Sequence, residues 1–551
     1  MQEFSVCLGG KAGDGINRSG TLLCRILARH GWKVWMYYEY PSLIRGGQNI
    51  VVIRAGEKQP GGHRDCVDYL LALDQITVDR YCTKCNPGMV CIYNSDTVSR
   101  ATGTGIDLEA IVRREGGHPV MKNTCLIGAF CRAAQIPFEL LEQMLRDEFG
   151  EKAEPNIRYA AIGYDFESSP KPIPAGTGDG SAVLSGNEVM ALGLCAGGLE
   201  TYVAYPMSPS TGILHTLAGE AENFGLRVLH PESEIAAAGM TLGAACGGSM
   251  AATGTSGGGF CLMTETFSMA GMSETPFCVV LCQRSGPSTG APTYTGQEDL
   301  LFALHAGQGE FPRLVVAPGD HTQAFYWSGR ALQLAWEFQV PSLILADKTL
   351  CESVATCPPD LLKPPVAGPV PWWDGTGTYE RYQETGNGVS PLAVPPQQGA
   401  VVKVSRKTHT ADGIATDHAQ EIAALHDKFL RKEQALAVAL AGESPVLHVP
   451  TPDATTVICT WGTSAPVCRE ISEEVGCAVI QPIVLSPFPL KAMQDYLKAY
   501  SRLITVEVNS TGQFATLLRS QGIMPDAEVK KYDGRPFTPE DLTTALKEAG
   551  I

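Results

Sequence analysis

Between residues 181 and 355 the chain repeats one pattern that leaves few folds open. Short apolar or small-residue runs, at 202–205, 227–229, 250–255, 277–282, 314–317 and 342–347, alternate with longer stretches of helical character. Each run is too short to be a buried helix, and none alternates strictly enough to leave one face in water. Each therefore predicts a strand buried on both faces. Between them, Ile213, Leu214, Leu217, Ala221 and Phe224 fall on one helical face, and 233–245 reads as a helix of small residues that can approach neighbouring backbone closely. Such alternation predicts a doubly wound α/β domain with a mostly parallel sheet, whose ligands bind outside the carboxyl ends of its strands. Three of the runs end just before Ser208, Glu234 and Arg284, which places a hydroxyl, an acid and a cation along that edge.

The first 170 residues read as a separate α/β domain. An apolar run at 4–8 leads into Gly9-Gly10-Lys11-Ala12-Gly13-Asp14-Gly15, and Ile16, Leu23, Ile26 and Leu27 then share a helical face. A strand, glycine loop and helix start can seat an anion on free backbone N–H groups. Tight turning in an α/β fold explains the glycines equally well. The third glycine of a dinucleotide fingerprint and the Lys-Ser/Thr end of a P-loop are both missing, which argues against those two ligand classes. Further strands are expected at 33–37, 49–54, 69–73 and 89–93, with helices at 123–134 and 138–146. Arg45, beside Gly46 and Gly47, could hold a phosphate or carboxylate or cap a loop carbonyl.

Residues 168–180, Ser-Ser-Pro-Lys-Pro-Ile-Pro-Ala-Gly-Thr-Gly-Asp-Gly, cannot sustain a helix or central strand and mark a boundary. The expected organisation is a first domain at 1–170, the doubly wound domain at 181–355 opening on a possible capping box at 185–188, a connecting region at 356–450 and a C-terminal α/β domain at 451–551. The connecting region is rich in proline and glycine and carries one charged helix at 419–441. The last domain shows strands at 457–460, 478–480 and 503–508.

Forty-two basic against 58 acidic residues give a net charge of -16. That excludes a general nucleic-acid binder, which needs a basic footprint. No apolar run approaches the roughly 20 residues of a membrane span, and no secretory leader pattern stands at Met1, so a cytoplasmic enzyme is expected. The 18 cysteines are scattered through apolar segments, as reduced core thiols would be. One CxxC pair, Cys82 and Cys85, has Cys91 nearby but no complete ligand set, so no metal is assigned to this chain.

Arg284 is followed by Ser-Gly-Pro-Ser-Thr-Gly, a loop rich in hydroxyls and backbone donors. Its guanidinium can hold a carboxylate through two parallel hydrogen bonds while Thr289 or Thr293 donates to a neighbouring oxygen, a combination suited to a 2-oxo acid. A structural ion pair with Glu298 is the competing reading. Glu234 could serve in proton transfer, or could simply be an acid favoured at a helix start.

These motifs resemble the α subunit of the 2-oxoacid:ferredoxin oxidoreductases, 2-oxoglutarate synthase type, with the family's γ domain fused in front. The match is carried by 186–188 (Gly-Asn-Glu), 205–211 (Tyr-Pro-Met-Ser-Pro-Ser-Thr), 232–237 (Glu-Ser-Glu-Ile-Ala-Ala), 253–260 and 283–290. It continues through 309–313, 379–382 and 507–513, and the γ-like signature is 9–15 with 45–47. The resemblance implies a thiamine-diphosphate domain of the pyrimidine-binding type and a transketolase-like C-terminal domain. It also implies oxidative decarboxylation of a 2-oxo acid with coenzyme A to acyl-CoA, carbon dioxide and reduced ferredoxin. Glu234 matches the glutamate that contacts the aminopyrimidine, with Pro206 beside the cofactor. Arg284 and Thr293 match contacts to the substrate carboxylate and oxo group, and Ser208 takes the hydroxyl position usually held by threonine. The segment 293–297 departs from the common form. Gly13, Gly15 and Arg45 become candidate contacts to coenzyme A or another anion.

The resemblance also assigns the diphosphate and Mg2+ site and a [4Fe-4S] cluster to a partner β subunit, since neither motif set occurs here. A dimer of αγ-β heterodimers is expected, with 2-oxoglutarate as the substrate. Pyruvate, branched-chain or aryl 2-oxo acids, or a non-redox thiamine-dependent transfer, are the alternatives.

Overall fold

The computed structural model describes residues 3–42, 47–178 and 180–551, so Arg45 lies outside the described residues. The chain divides into two compact units: Met1–Ser185 with Glu352–Leu361 and Phe537–Thr544, and Gly186–Cys351 with Leu362–Pro536 and Ala545–Ile551.

The first unit is built on an eight-stranded mixed sheet. Its first strand, Glu3–Lys11, runs parallel to Val67–Ala72 but antiparallel to Gln48–Gly56, which in turn is antiparallel to Lys33–Glu39. Simple α/β alternation predicts parallel neighbours. The link between Lys33–Glu39 and Gln48–Gly56 is too short for the dozen or more residues of a parallel crossover, so these strands fold back on each other. Two further strands, Ala182–Ser185 and Val354–Cys357, complete the sheet at one end. The helices Met121–Ala134 and Ala153–Tyr164 pack through Gly128 and Gly163, where a β-carbon would run into the Ala160 and Cys125 carbonyls.

The glycine loop turns on left-handed Gly13 (φ 94°) and Gly15 (φ 73°), the latter heading the Ile16–Arg29 helix. Asp14 fills the loop from within: its carboxylate accepts from the Lys11 N–H at 3.0 Å and from Lys122 Nζ at 2.7 Å. The CxxC cysteines Cys82 and Cys85 are exposed, Cys91 is buried, and among the described residues no cluster is disposed to hold a metal ion.

In the second unit a seven-stranded sheet has, in spatial order, Val484–Ser486, Leu314–Val316, Pro341–Asp347, Phe277–Gln283, Ala251–Thr255, Thr201–Val203 and Arg227–Leu229. All neighbours are parallel except the first pair. A five-stranded sheet from 446–530 shares a continuous apolar core with it, including Phe260, Phe267, Trp461, Met493 and Phe514. Gln297 couples the two: it exchanges hydrogen bonds with Val508 (2.7 and 2.9 Å), and its carbonyl accepts from Asn509 Nδ2 at 3.0 Å. The glycines at 257–259 make the first turn of the Gly257–Met272 helix.

The charged helix is Ala419–Ala441, and it is not only a solvated strap. Lys428 and Lys432 point inward to the carboxylate of Glu274, Lys428 at 2.6 Å. Arg381 donates to the Glu274 carbonyl at 2.5 Å and to Gln339 Oε1 at 2.8 Å. All four charged groups are at most 3% exposed, so two buried ammonium groups share one carboxylate while Arg381 is held on the Glu274 backbone carbonyl.

Candidate active site

The carboxyl edge of the parallel sheet gathers most of the predicted groups. Glu234 opens the Glu234–Cys246 helix, whose N-cap Ser233 accepts from the Ala236 N–H at 3.3 Å. An acid at this position is favoured by the helix dipole, yet Glu234 is only 8% exposed and no described residue donates a hydrogen bond to its carboxylate. The carboxyl group lies against the backbone of Gly259. A β-carbon there would fall 2.9 Å from Glu234 Cγ and collide with Thr255 Oγ1. Glycine at 259 is thus what allows the acid to lie across the head of the next helix.

Arg284, at the end of the Phe277–Gln283 strand, donates from Nη1 to the Ser208 carbonyl at 2.8 Å. That bond joins two of the predicted groups across the sheet edge. The competing pairing with Glu298 is not made: Glu298 accepts instead from the Gly286 N–H at 2.8 Å and from Ser285 Oγ at 3.3 Å. These bonds shape the loop 285–291, closed by the Ser285–Ala291 bridge and by left-handed Ser288 and Gly290. The Ser288 carbonyl lies 3.5 Å from where a β-carbon of Gly258 would be, so the loop passes over the same helix head that carries Glu234. Thr293 is buried at the base of the loop, whereas Thr289 is exposed at its tip, and Pro206 is half-buried.

Several hydroxyls at this edge are buried without partners among the described residues: Thr255 Oγ1, Ser256 Oγ and Thr293 Oγ1. A buried polar atom left unpaired costs about 1–3 kcal/mol. Three together at the end of parallel strands, beside an unpaired acid, make a polar cradle suited to a bound organic cofactor and an oxygen-rich substrate.

Asp299 was not singled out by the sequence reading. Burial, and then the neighbouring Glu298, raise its carboxyl to about 6, against the opposing pull of Arg284. It abuts Gly257 as Glu234 abuts Gly259, with Oδ1 2.9 Å from the position of a Gly257 β-carbon. Two acids therefore flank the glycine turn that heads one helix.

The strand-end acid, arginine and hydroxyls form a polar site at the carboxyl edge of an α/β fold, and comparison with known proteins gives the class: an oxidoreductase subunit with a thiamine-diphosphate-binding domain. Residues 193–425 match the profile described as pyruvate flavodoxin/ferredoxin oxidoreductase, thiamine diP-binding, and residues 5–166 match pyruvate ferredoxin/flavodoxin oxidoreductase. The α subunit of 2-oxoacid:ferredoxin oxidoreductase 2 from Aeropyrum pernix is 28% identical over 99% of this chain and 98% of its own length. The 2-oxoglutarate oxidoreductase subunit KorA of Mycobacterium tuberculosis is 29% identical over 84% of this chain and 73% of its own length. A solved 2-oxoglutarate:ferredoxin oxidoreductase from Magnetococcus marinus, with 2-oxoglutarate, coenzyme A and succinyl-CoA bound, superposes with a TM-score of 0.90 at 28% identity. That match covers 100% of this chain and 99% of the other. The chain belongs to the 2-oxoacid:ferredoxin oxidoreductase family, as an α subunit with a γ-like domain fused in front. Among the described residues no helix is long and apolar enough to cross a membrane.

Proposed function

We propose that this chain serves a coenzyme A-acylating, ferredoxin-linked oxidoreductase whose substrate is 2-oxoglutarate, and that it shares thiamine diphosphate with a partner subunit. The observation that carries the site is the buried, unpaired Glu234 held against Gly259. Its carboxylate is free to accept a hydrogen bond from a ring nitrogen of the cofactor. Thiamine diphosphate, when bound, supplies the electron sink that decarboxylation of a 2-oxo acid requires. Arg284 would hold the substrate carboxylate, keeping its bond to the Ser208 carbonyl as an anchor. The orphaned Thr293 hydroxyl would donate to the oxo group, with Ser208 and Thr289 as further polar contacts.

A helix face beside Glu234 supports a partner subunit. Ile235 and Met240, and Leu262 on the neighbouring helix, are 59%, 41% and 51% exposed, while Gly239 and Gly243 face open space. The partner would carry the Mg2+-diphosphate site and the [4Fe-4S] cluster, in a dimer of αγ-β heterodimers. The choice of 2-oxoglutarate rests on the names of the KorA relatives and of the Magnetococcus structure. Pyruvate is the second reading, favoured by the family descriptions. Initial rates of the reconstituted complex with coenzyme A, a viologen dye and a panel of 2-oxo acids separate the two. A kcat/KM for pyruvate above that for 2-oxoglutarate reverses the assignment. The Arg284→Ala complex is expected to raise KM for the best substrate at least tenfold, and an unchanged KM removes the carboxylate role.

A further inference from the structure

The loop that carries Ser208 is held by two side chains from different elements. Arg284 Nη1, at the end of its strand, donates to the Ser208 carbonyl at 2.8 Å. Asn187 Nδ2 donates to the next carbonyl along, that of Pro209, at 3.0 Å. Asn187 stands in the first turn of the Gly186–Ala196 helix and is 6% exposed. Its amide lies over Gly212, where a β-carbon would fall 2.4 Å from Nδ2 and 2.9 Å from the Asn187 β-carbon. Gly212 belongs to the Thr211–Gly219 helix into which the loop leads, so glycine there is what admits the amide. Within the loop, Ser210 Oγ and the Thr211 N–H both donate to the Met207 carbonyl, at 2.8 and 3.1 Å. A turn closed on itself in this way moves as a unit, and fixing the Pro209 carbonyl fixes the Ser208 carbonyl beside it. Asn187 Oδ1, in contrast, is buried without a partner among the described residues. An acceptor left unpaired in the interior offsets much of what the Nδ2 bond contributes to stability. The effect of Asn187 therefore lies mainly in where it sets the loop.

We propose that Asn187 is a positioning residue for the grip on the substrate carboxylate: through the Pro209 carbonyl it sets the Ser208 carbonyl, which in turn aims the Arg284 guanidinium. The inference rests on the carboxylate role proposed for Arg284. Glu234 heads a separate helix and takes no part in this chain of bonds, so cofactor affinity should not depend on Asn187.

The test uses the complex with its partner subunit. Asn187→Ala should raise KM for the best 2-oxo acid about three- to tenfold, the scale of one neutral hydrogen bond. Its kcat, and the Kd for thiamine diphosphate by fluorescence titration, should stay within about twofold, as expected when only ground-state substrate binding is lost. Combining Asn187→Ala with Gly212→Ala separates positioning from packing. The second β-carbon fits the space the amide leaves, and alanine is the better helix former, so Tm should return to within about 1 °C of wild type. KM should stay raised, because nothing then holds the Pro209 carbonyl; should Asn187→Ala alone fold poorly, this double variant still gives the KM. In the Arg284→Ala complex, adding Asn187→Ala should change KM by less than about twofold, since both act on one grip. An unchanged KM in Asn187→Ala, a KM that recovers together with Tm, or a full further increase on top of Arg284→Ala overturns the inference. If Arg284→Ala itself leaves KM unchanged, the reading of Arg284 fails; if it raises KM while Asn187→Ala does not, only the positioning role fails.

Discussion

Replacing Glu274 by Gln should damage this fold far more than any change of equal size on the surface. Glu274 sits at a left-handed turn (φ 50°) between the Gly257–Met272 helix and the amino end of the Phe277–Gln283 strand, at the opposite end of that strand from Arg284. Burial alone would raise its carboxyl, but Lys432, Lys428 and Arg381 outweigh that and hold it at about 2. Burial in turn lowers Lys432 to about 8, with Glu274 opposing. Remove the one negative charge and two ammonium groups remain in a dry interior. Breaking a buried pair in this way costs about 3–5 kcal/mol. The lysines have an escape, since running either of them neutral at pH 7 costs about 1.4 kcal/mol for each unit below its usual value near 10.4, or roughly 5 kcal/mol, which caps the share of each. For a cooperative unit of roughly 350 residues this corresponds to a fall in Tm of about 4–7 °C. The pH sign follows from the lysines. In Glu274→Gln their folded values lie below the unfolded one, so the penalty is full at low pH and shrinks as pH rises toward 10.4. Thermal unfolding of wild type and Glu274→Gln at pH 7 and pH 9.5 tests this. A Tm difference under about 1 °C at pH 7, or a gap that widens with pH, refutes the reasoning. Glu274→Gln combined with Lys432→Met should recover a large part of the loss.

Three further outcomes follow from the site and the same cluster. In the complex, Glu234→Gln should lower turnover by at least about 100-fold, the usual scale for a positioned proton-transfer group, and near-normal turnover would return Glu234 to a merely helix-starting role. Gly259→Ala places a β-carbon into Thr255 Oγ1 and against Glu234 Cγ. It should cost about 1–3 kcal/mol in stability and weaken thiamine diphosphate binding at least tenfold by fluorescence titration. Unchanged affinity would show that the acid does not need its place on the glycine. In wild type, the contribution of Glu274 should be complete above pH 4.5 and fade as pH falls toward 2, because its folded value lies below the unfolded one. Acid unfolding monitored by circular dichroism should therefore shift to higher pH in Lys432→Met, where that carboxylate has lost a partner.

What could be read from the sequence was what depends on neighbours along the chain. Strands buried on both faces are continuous apolar runs, so 277–282 and 342–347 differ from theirs by one residue at one end, and 227–229 matches a strand to the residue but lies at the sheet edge with Arg227 and Leu229 exposed, not buried on both faces as expected. The charged helix at 419–441 matches as well, because nothing in it interrupts the helical pattern. The rest depends on partners far apart in the chain. Val354–Cys357 pairs with residues more than 150 positions upstream, and no local pattern marks it as belonging to the first unit's sheet. Lys428 and Lys432, four residues apart, look like a solvated helix face; only Glu274, over 150 positions away, turns that face inward. At the site, the strand ends placed Ser208, Glu234 and Arg284 on one edge, and the family resemblance suggested their roles. Which hydroxyls there lack a partner could not be read, because an orphan is defined by everything that does not reach it. The same holds for Asp299. Next to Glu298 in the chain it is one of two surface-like acids, and only the absence of a side chain at Gly257 allows it to lie against the helix head. The paired glycines 257 and 259 thus matter less as a flexible turn than as two vacant side-chain positions, each holding a carboxylate at the mouth of the site.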